Sequence, residues 1–112
     1  MDRSELLDRH VAAFNHGVRT GDYEPMLAGF TDDAELIFEG PPVGPYRGRE
    51  AIRAGYAAAP PDDTLRTLDR AVAEDRITAR YAWDAEPDQD AGVMIFELDG
   101  DRIRRLTVRF GP

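Results

Sequence analysis

Leu7, Val11, Phe14 and Val18 recur at three- and four-residue intervals, the period of one helix face, and predict a helix from Arg3 to Val18. His10 falls on the same stripe, so a helix that turns this face inward buries an imidazole with it. Asn15 to Gly21, polar and glycine-rich, ends the helix. Asp22 is placed to cap a short second helix whose apolar members are Tyr23, Met26, Leu27 and Phe30. Asp32 and Asp33 predict a turn into a short strand from Glu35 to Glu39. The three prolines and two glycines of Gly40 to Pro45 then exclude regular structure and leave room for only a very short strand. Gly48 to Ala59 reads as a third helix, with Glu50 near its N-terminal end and Ile52 and Tyr56 as an i, i+4 pair.

From Asp62 the period changes from 3.6 to 2. Thr64 to Glu74, Arg76 to Glu86, Gly92 to Leu98 and Arg102 to Phe110 each read as strands, and four strands in succession predict an antiparallel meander. Asp99 and Gly100 mark a tight turn between the last two, and Glu86 to Asp90 a looser one. The apolar face of such a sheet needs a cover, and the three helices that precede the meander supply it, which predicts an α+β fold. A strongly curled sheet leaves space that the helices cannot fill. Phe38 or Leu36, Met94, Phe96, Leu98, Leu106, Val108, Phe110 and one parity of the Trp83 strand are the residues to line that space, or to fill it as ordinary core.

Length and charge narrow the classes. A chain of 112 residues with 42% hydrophobic residues is expected to form one domain over residues 1–112. No apolar run approaches the roughly 18 residues of a membrane span, and no signal-peptide pattern opens the chain, so a cytoplasmic location is expected. The absence of cysteine removes disulfides, thiolate nucleophiles and thiolate metal sites, and no cofactor or metal motif is present. A formal net charge of −8 argues against nucleic acid, the only local basic run being Arg102, Arg104, Arg105 and Arg109. Hydrophobic small molecules or a second copy of the chain are the expected partners.

The candidate chemistry centres on His10. It is either a core histidine hydrogen-bonded to a neighbour or a donor and acceptor facing a cavity. Glu39 reaches a cavity only if a bulge in Glu35 to Gly40 reverses its face; otherwise it is an edge carboxylate. Asp84, beside Trp83, either orients a ligand or ends a surface strand. Arg109 either pairs across the sheet or touches the ligand. Tyr46, in a loop at a cavity mouth, either packs or makes a ligand contact.

His10 to Asn15, Gly21 to Glu24, Phe30 to Ala34, Val43 to Gly48, Glu50 to Arg53 and the closing strands through Arg109 and Phe110 resemble, in that order, the nuclear transport factor 2-like superfamily. The similarity is to its ketosteroid isomerase and SnoaL-like polyketide cyclase group. It implies a cone-shaped roll in which three N-terminal helices pack on a strongly curved, mainly antiparallel sheet, and a homodimer formed through sheet faces. Isomerases of the group use a carboxylate base with an oxyanion hole made by a tyrosine and a protonated aspartic acid. The resemblance puts the tyrosine position on His10, the base position on Phe38 with Glu39 adjacent, and the protonated acid on Met94, while a supporting tyrosine matches Tyr56. Histidine donates a hydrogen bond, but phenylalanine and methionine exchange no proton, so the principal catalytic residues are not retained in type. Two functional classes follow. One is proton-transfer isomerisation or cyclisation of a hydrophobic carbonyl compound, with His10 and Tyr56 as donors and Glu39 or Asp84 as base. The other is a non-catalytic small-molecule-binding or dimerisation domain.

Overall fold

In a computed structural model that describes residues 2–111, helix α1 (Arg3–Thr20) turns Leu7, His10, Phe14 and Gly17 inward. Asp2 caps its start by accepting a hydrogen bond from the Ser4 amide at 2.8 Å, and Gly21 closes its end in the left-handed conformation with φ 82°. Helix α2 (Glu24–Leu27) is a single turn, shorter than the apolar spacing predicts, and Phe30 belongs instead to strand β1 (Phe30–Glu39). Strand β2 (Tyr46–Arg47) and helix α3 (Arg49–Ala58) follow, and then β3 (Leu65–Val72), β4 (Arg76–Trp83), β5 (Gly92–Asp99) and β6 (Arg102–Phe110).

The six strands form one open sheet in the order β2-β1-β6-β5-β4-β3. From β3 to β6 neighbours in sequence pair antiparallel, whereas β1 lies parallel to β6. Two expectations are corrected by this arrangement, which also contains one parallel pair among mainly antiparallel ones. The sheet is mixed, because the chain leaves β1 through β2 and α3 and comes back to it only with its last strand. It is not a strongly curled, cone-shaped roll, since β2 and β3 stand apart as two free edges. The helices are not all N-terminal either, because α3 lies between β2 and β3. Among the described residues no helix is long and apolar enough to cross a membrane.

The two long helices rest on opposite sides of the sheet's inner face: α1 packs on β3 and β4, and α3 on β1 and β2. Polar ties fix both. The Asn15 side chain donates to the Leu65 carbonyl and accepts from the Leu65 amide, each at 2.9 Å, as a third strand would pair with β3. Near the other end of α1, Arg70 of β3 donates to the Ser4 hydroxyl at 2.8 Å and pairs with Asp8 at 2.8 Å. Arg49, at the start of α3, donates to the Phe30 carbonyl and pairs with Asp32 at 3.0 Å. The central strands β5 and β6 are therefore left between the helices, with Met94, Phe96, Leu106 and Val108 on the inner face.

Replacing Asn15 by alanine orphans both backbone groups of Leu65 at a part-buried position, and is expected to destabilise the protein by roughly 1 to 3 kcal/mol. Urea denaturation checks this; a loss below about 0.5 kcal/mol means that water replaces the two bonds without cost.

Candidate functional site

Between α1 and α3, above β5 and β6, lies a cavity of about 320 Å³. Of the residues singled out from the sequence, His10, Phe38, Tyr46, Tyr56, Trp83, Met94, Leu106, Val108 and Phe110 line it. Phe14, Tyr81 and Leu65 line it as well, together with Pro41 and Val43 from the loop after β1 and Pro61 and Asp62 from the loop after α3. Phe96 does not. It lies beneath the His10 ring, 5.1 Å between centroids and edge-on at 75°.

His10 is 8% exposed, and Phe30 meets its ring edge-on from a second side at 5.8 Å. Among the described residues no group hydrogen-bonds it, which departs from the usual condition of a core histidine. Burial without a neighbouring carboxylate disfavours the imidazolium and lowers the pKa to about 4. At neutral pH the ring therefore has one N–H to donate and one nitrogen to accept. It also borders a second groove, lined among others by Leu6, Arg9, Met26 and Arg102, so that the ring stands between the two spaces.

Tyr56 comes from the inward face of α3. It stacks on Tyr23 at 4.9 Å and meets Phe14 edge-on at 6.4 Å. Burial, and then the neighbouring Tyr23 and Tyr46, push its pKa above the usual phenol range, so it remains a hydroxyl. Gly17 makes this stack possible: a Cβ there comes 2.3 Å from the Tyr23 ring.

Neither carboxylate singled out as a base lines the cavity. β1 does contain a register shift, but it falls between Phe30 and Glu35; from Glu35 to Glu39 the strand runs in regular register with Arg105 to Arg109. Phe38 accordingly faces inward and Glu39 outward, where Glu39 accepts a hydrogen bond from Arg109. Asp84 accepts from the Thr64 hydroxyl and from Arg66 at 2.9 Å, and these bonds hold its pKa below the usual carboxylate range. The acidic residue that does line the cavity is Asp62, which sequence periodicity could not reveal because it stands in the irregular Pro60 to Asp63 segment. A proline-rich loop that follows an amphipathic helix was the available signal. Among the described residues no three imidazole or carboxylate groups converge as metal ligands.

The SnoaL-like domain family matches residues 8–106. A solved structure from Sphaerobacter thermophilus is 28% identical, covers 100% of this chain and 98% of its own, and superposes with a TM-score of 0.75. A candidate ketosteroid isomerase from Kribbella flavida shares the fold at 14% identity and a TM-score of 0.72, with 96% of this chain and 76% of that one covered. A candidate polyketide cyclase from Sinorhizobium meliloti does so at 21% identity and a TM-score of 0.64, covering 92% and 97%. No curated protein matches the chain.

Burial of His10 has a pH consequence. Its folded pKa of about 4 lies below the ordinary value of 6.5, so the unfolded chain takes up the proton first. The stability due to the neutral ring is complete above pH 6.5 and is lost as pH falls toward 4. Between pH 7 and pH 4.5 the wild type should therefore lose roughly 2 to 3 kcal/mol more than a His10→Gln variant in urea titrations. Equal losses contradict a buried neutral imidazole.

Proposed function

Because the chain belongs to the SnoaL-like domain family, we propose that its cavity binds a hydrophobic small molecule carrying a carbonyl group, with the His10 N–H donating to that oxygen. A buried, neutral imidazole without a hydrogen-bond partner among the described residues, bordering a mostly apolar space, supports this most directly. A ligand oxygen in the cavity supplies the partner that no side chain among the described residues gives the ring. The volume suits a small organic molecule, near the lower end of the roughly 300 to 1,000 Å³ of such sites. Val43 and Phe110, 47% and 46% exposed, line the cavity and form an apolar rim for an incoming ligand.

Isomerisation or cyclisation by proton transfer is the catalytic alternative, suggested by the fold shared with the candidate isomerase and cyclase. Either reaction needs a base within about 3 Å of the acidic carbon. Arg109 holds Glu39 outside the cavity, and Thr64 and Arg66 hold Asp84 outside it. Phe38 and Met94 exchange no proton. Binding without proton abstraction by these groups is the function the geometry favours.

We further propose that two copies pair through the sheet face turned away from the helices. There Ile37, Thr107 and Ile95 stand side by side across β1, β6 and β5 and stay half-buried, with no covering layer among the described residues.

A ring ketone such as 2-decalone should shift the emission of Trp83, the only tryptophan, saturably. His10→Phe should weaken that binding about fivefold, the worth of one hydrogen bond near 1 kcal/mol, and Glu39→Gln should leave it unchanged. Undiminished affinity in His10→Phe removes the proposed donor. For the pairing of copies, sedimentation velocity should find a dimer that Ile95→Arg converts to monomer; a monomeric wild type at tens of micromolar excludes this interface.

A further inference from the structure

The charges around the cavity are unevenly distributed. All 14 cationic side chains of the chain are arginines, and none of them lines the cavity. His10 is neutral there, and Asp62 is the one charged lining residue among the described residues. While Glu39 and Asp84 are each engaged by an arginine, no cation pairs with Asp62 among the described residues.

Its position along the cavity is set by the strands. His10 lies over Phe96, which pairs with Leu106, whereas Gly92 pairs with Phe110 at the far end of the same two strands. These two levels are separated by four residues of strand, about 13 Å. Asp62 belongs to the Phe110 level: it precedes Leu65, which pairs with Trp83, where the Asp84 amide donates to the Thr64 carbonyl. The aromatic rings of the cavity gather at the same end. Phe38 stacks on Phe110 with centroids 6.1 Å apart, and Tyr46 meets Phe38 edge-on at 6.3 Å.

We propose that the cavity selects hydrophobic ligands bearing a protonated amine, whose ammonium group sits at the mouth beside Asp62 and against the faces of Phe38, Phe110 and Trp83. An ammonium there gains an opposite charge and aromatic faces, each of which attracts cations. A carboxylate meets Asp62 with like charge, finds no cation in the lining, and approaches a protein of net charge −8. A neutral polar group gains neither effect. The proposal rests on the cavity being a binding site for hydrophobic small molecules, and it adds the charge class of the ligand.

Three compounds that share one hydrocarbon body separate the two. They are 1-adamantylmethylamine, 1-adamantylmethanol and adamantane-1-carboxylate, titrated at neutral pH and low ionic strength with Trp83 emission as the signal. The amine should bind about fivefold or more tighter than the alcohol, and the carboxylate more weakly than the alcohol. Asp62 is exposed, so Asp62→Asn should fold normally; it should bring the amine close to the alcohol and leave the alcohol's affinity as it was. If the alcohol binds and the amine is no tighter, or if the amine's advantage survives Asp62→Asn, the charge preference is refuted while the binding cavity stands. If none of the three binds, the charge preference is refuted, and the 2-decalone titration decides separately whether the cavity is a binding site.

Discussion

The cavity depends on a separation held by hydrogen bonds. Asn15 joins α1 to the backbone of β3, and Arg49 joins α3 to the Phe30 carbonyl and to Asp32 at the opposite side of the sheet. Apolar packing alone draws helices together over the centre of a sheet, since side chains without neighbours lose dispersion contacts. Directional bonds to backbone groups resist this, because moving either helix inward orphans part-buried donors and acceptors. The side chains of β5 and β6 below the gap, Met94, Leu106 and Val108, are of ordinary core type and yet face a space that no helix fills.

Sequence patterns foretold those parts of the structure in which local chemistry and tertiary environment agree. The alternation of Ile77, Ala79, Tyr81 and Trp83 gives the inward face of β4, and the parity of Phe38 and Glu39 survives because β1 is regular from Glu35 onward. The start of β1 was not foretold. Asp32 and Asp33 have poor strand propensity and lie where the register with β6 shifts, but the pairing of Phe30 and Glu35 on either side and the Arg49 contact to Asp32 hold the segment extended, a tertiary override of local preference. Parallel pairing of β1 with the last strand joins segments far apart in sequence, Glu35 with Arg105, for which a local period contains no information. The shape of the sheet depends on where such register irregularities fall, and no turn signal marked them.

At the site the same division holds. Aromatic and aliphatic lining residues follow from strand parity, and His10 from the helical stripe. On α1 the buried face is centred on Leu7, His10, Phe14 and Gly17, and Val11 and Val18 lie at its margin, so the stripe is rotated slightly toward the histidine. Gly17 takes the place of a larger apolar residue because the Tyr23 ring occupies its space, and through Tyr23 the ring of Tyr56 is placed. Asp62 has no such signal, because loop residues obey no period, and its position becomes visible only when β3 and β4 are in register.

The polar groups of the chain divide by depth. At the surface, acids and arginines neutralise one another across strands: Glu35 with Arg47 and Arg105, Glu97 with Arg104 and Arg105, and Glu39 with Arg109. Inside, the positions that the family resemblance assigns to carboxyl groups hold Phe38 and Met94, so no desolvated acid raises the His10 pKa or shares its proton. A histidine under those conditions is a neutral donor of fixed orientation, clamped between Phe30 and Phe96, and a weak proton acceptor at neutral pH. With Phe38 and Met94 at those positions, the neutral imidazole donates its N–H without a neighbouring carboxyl group competing for it.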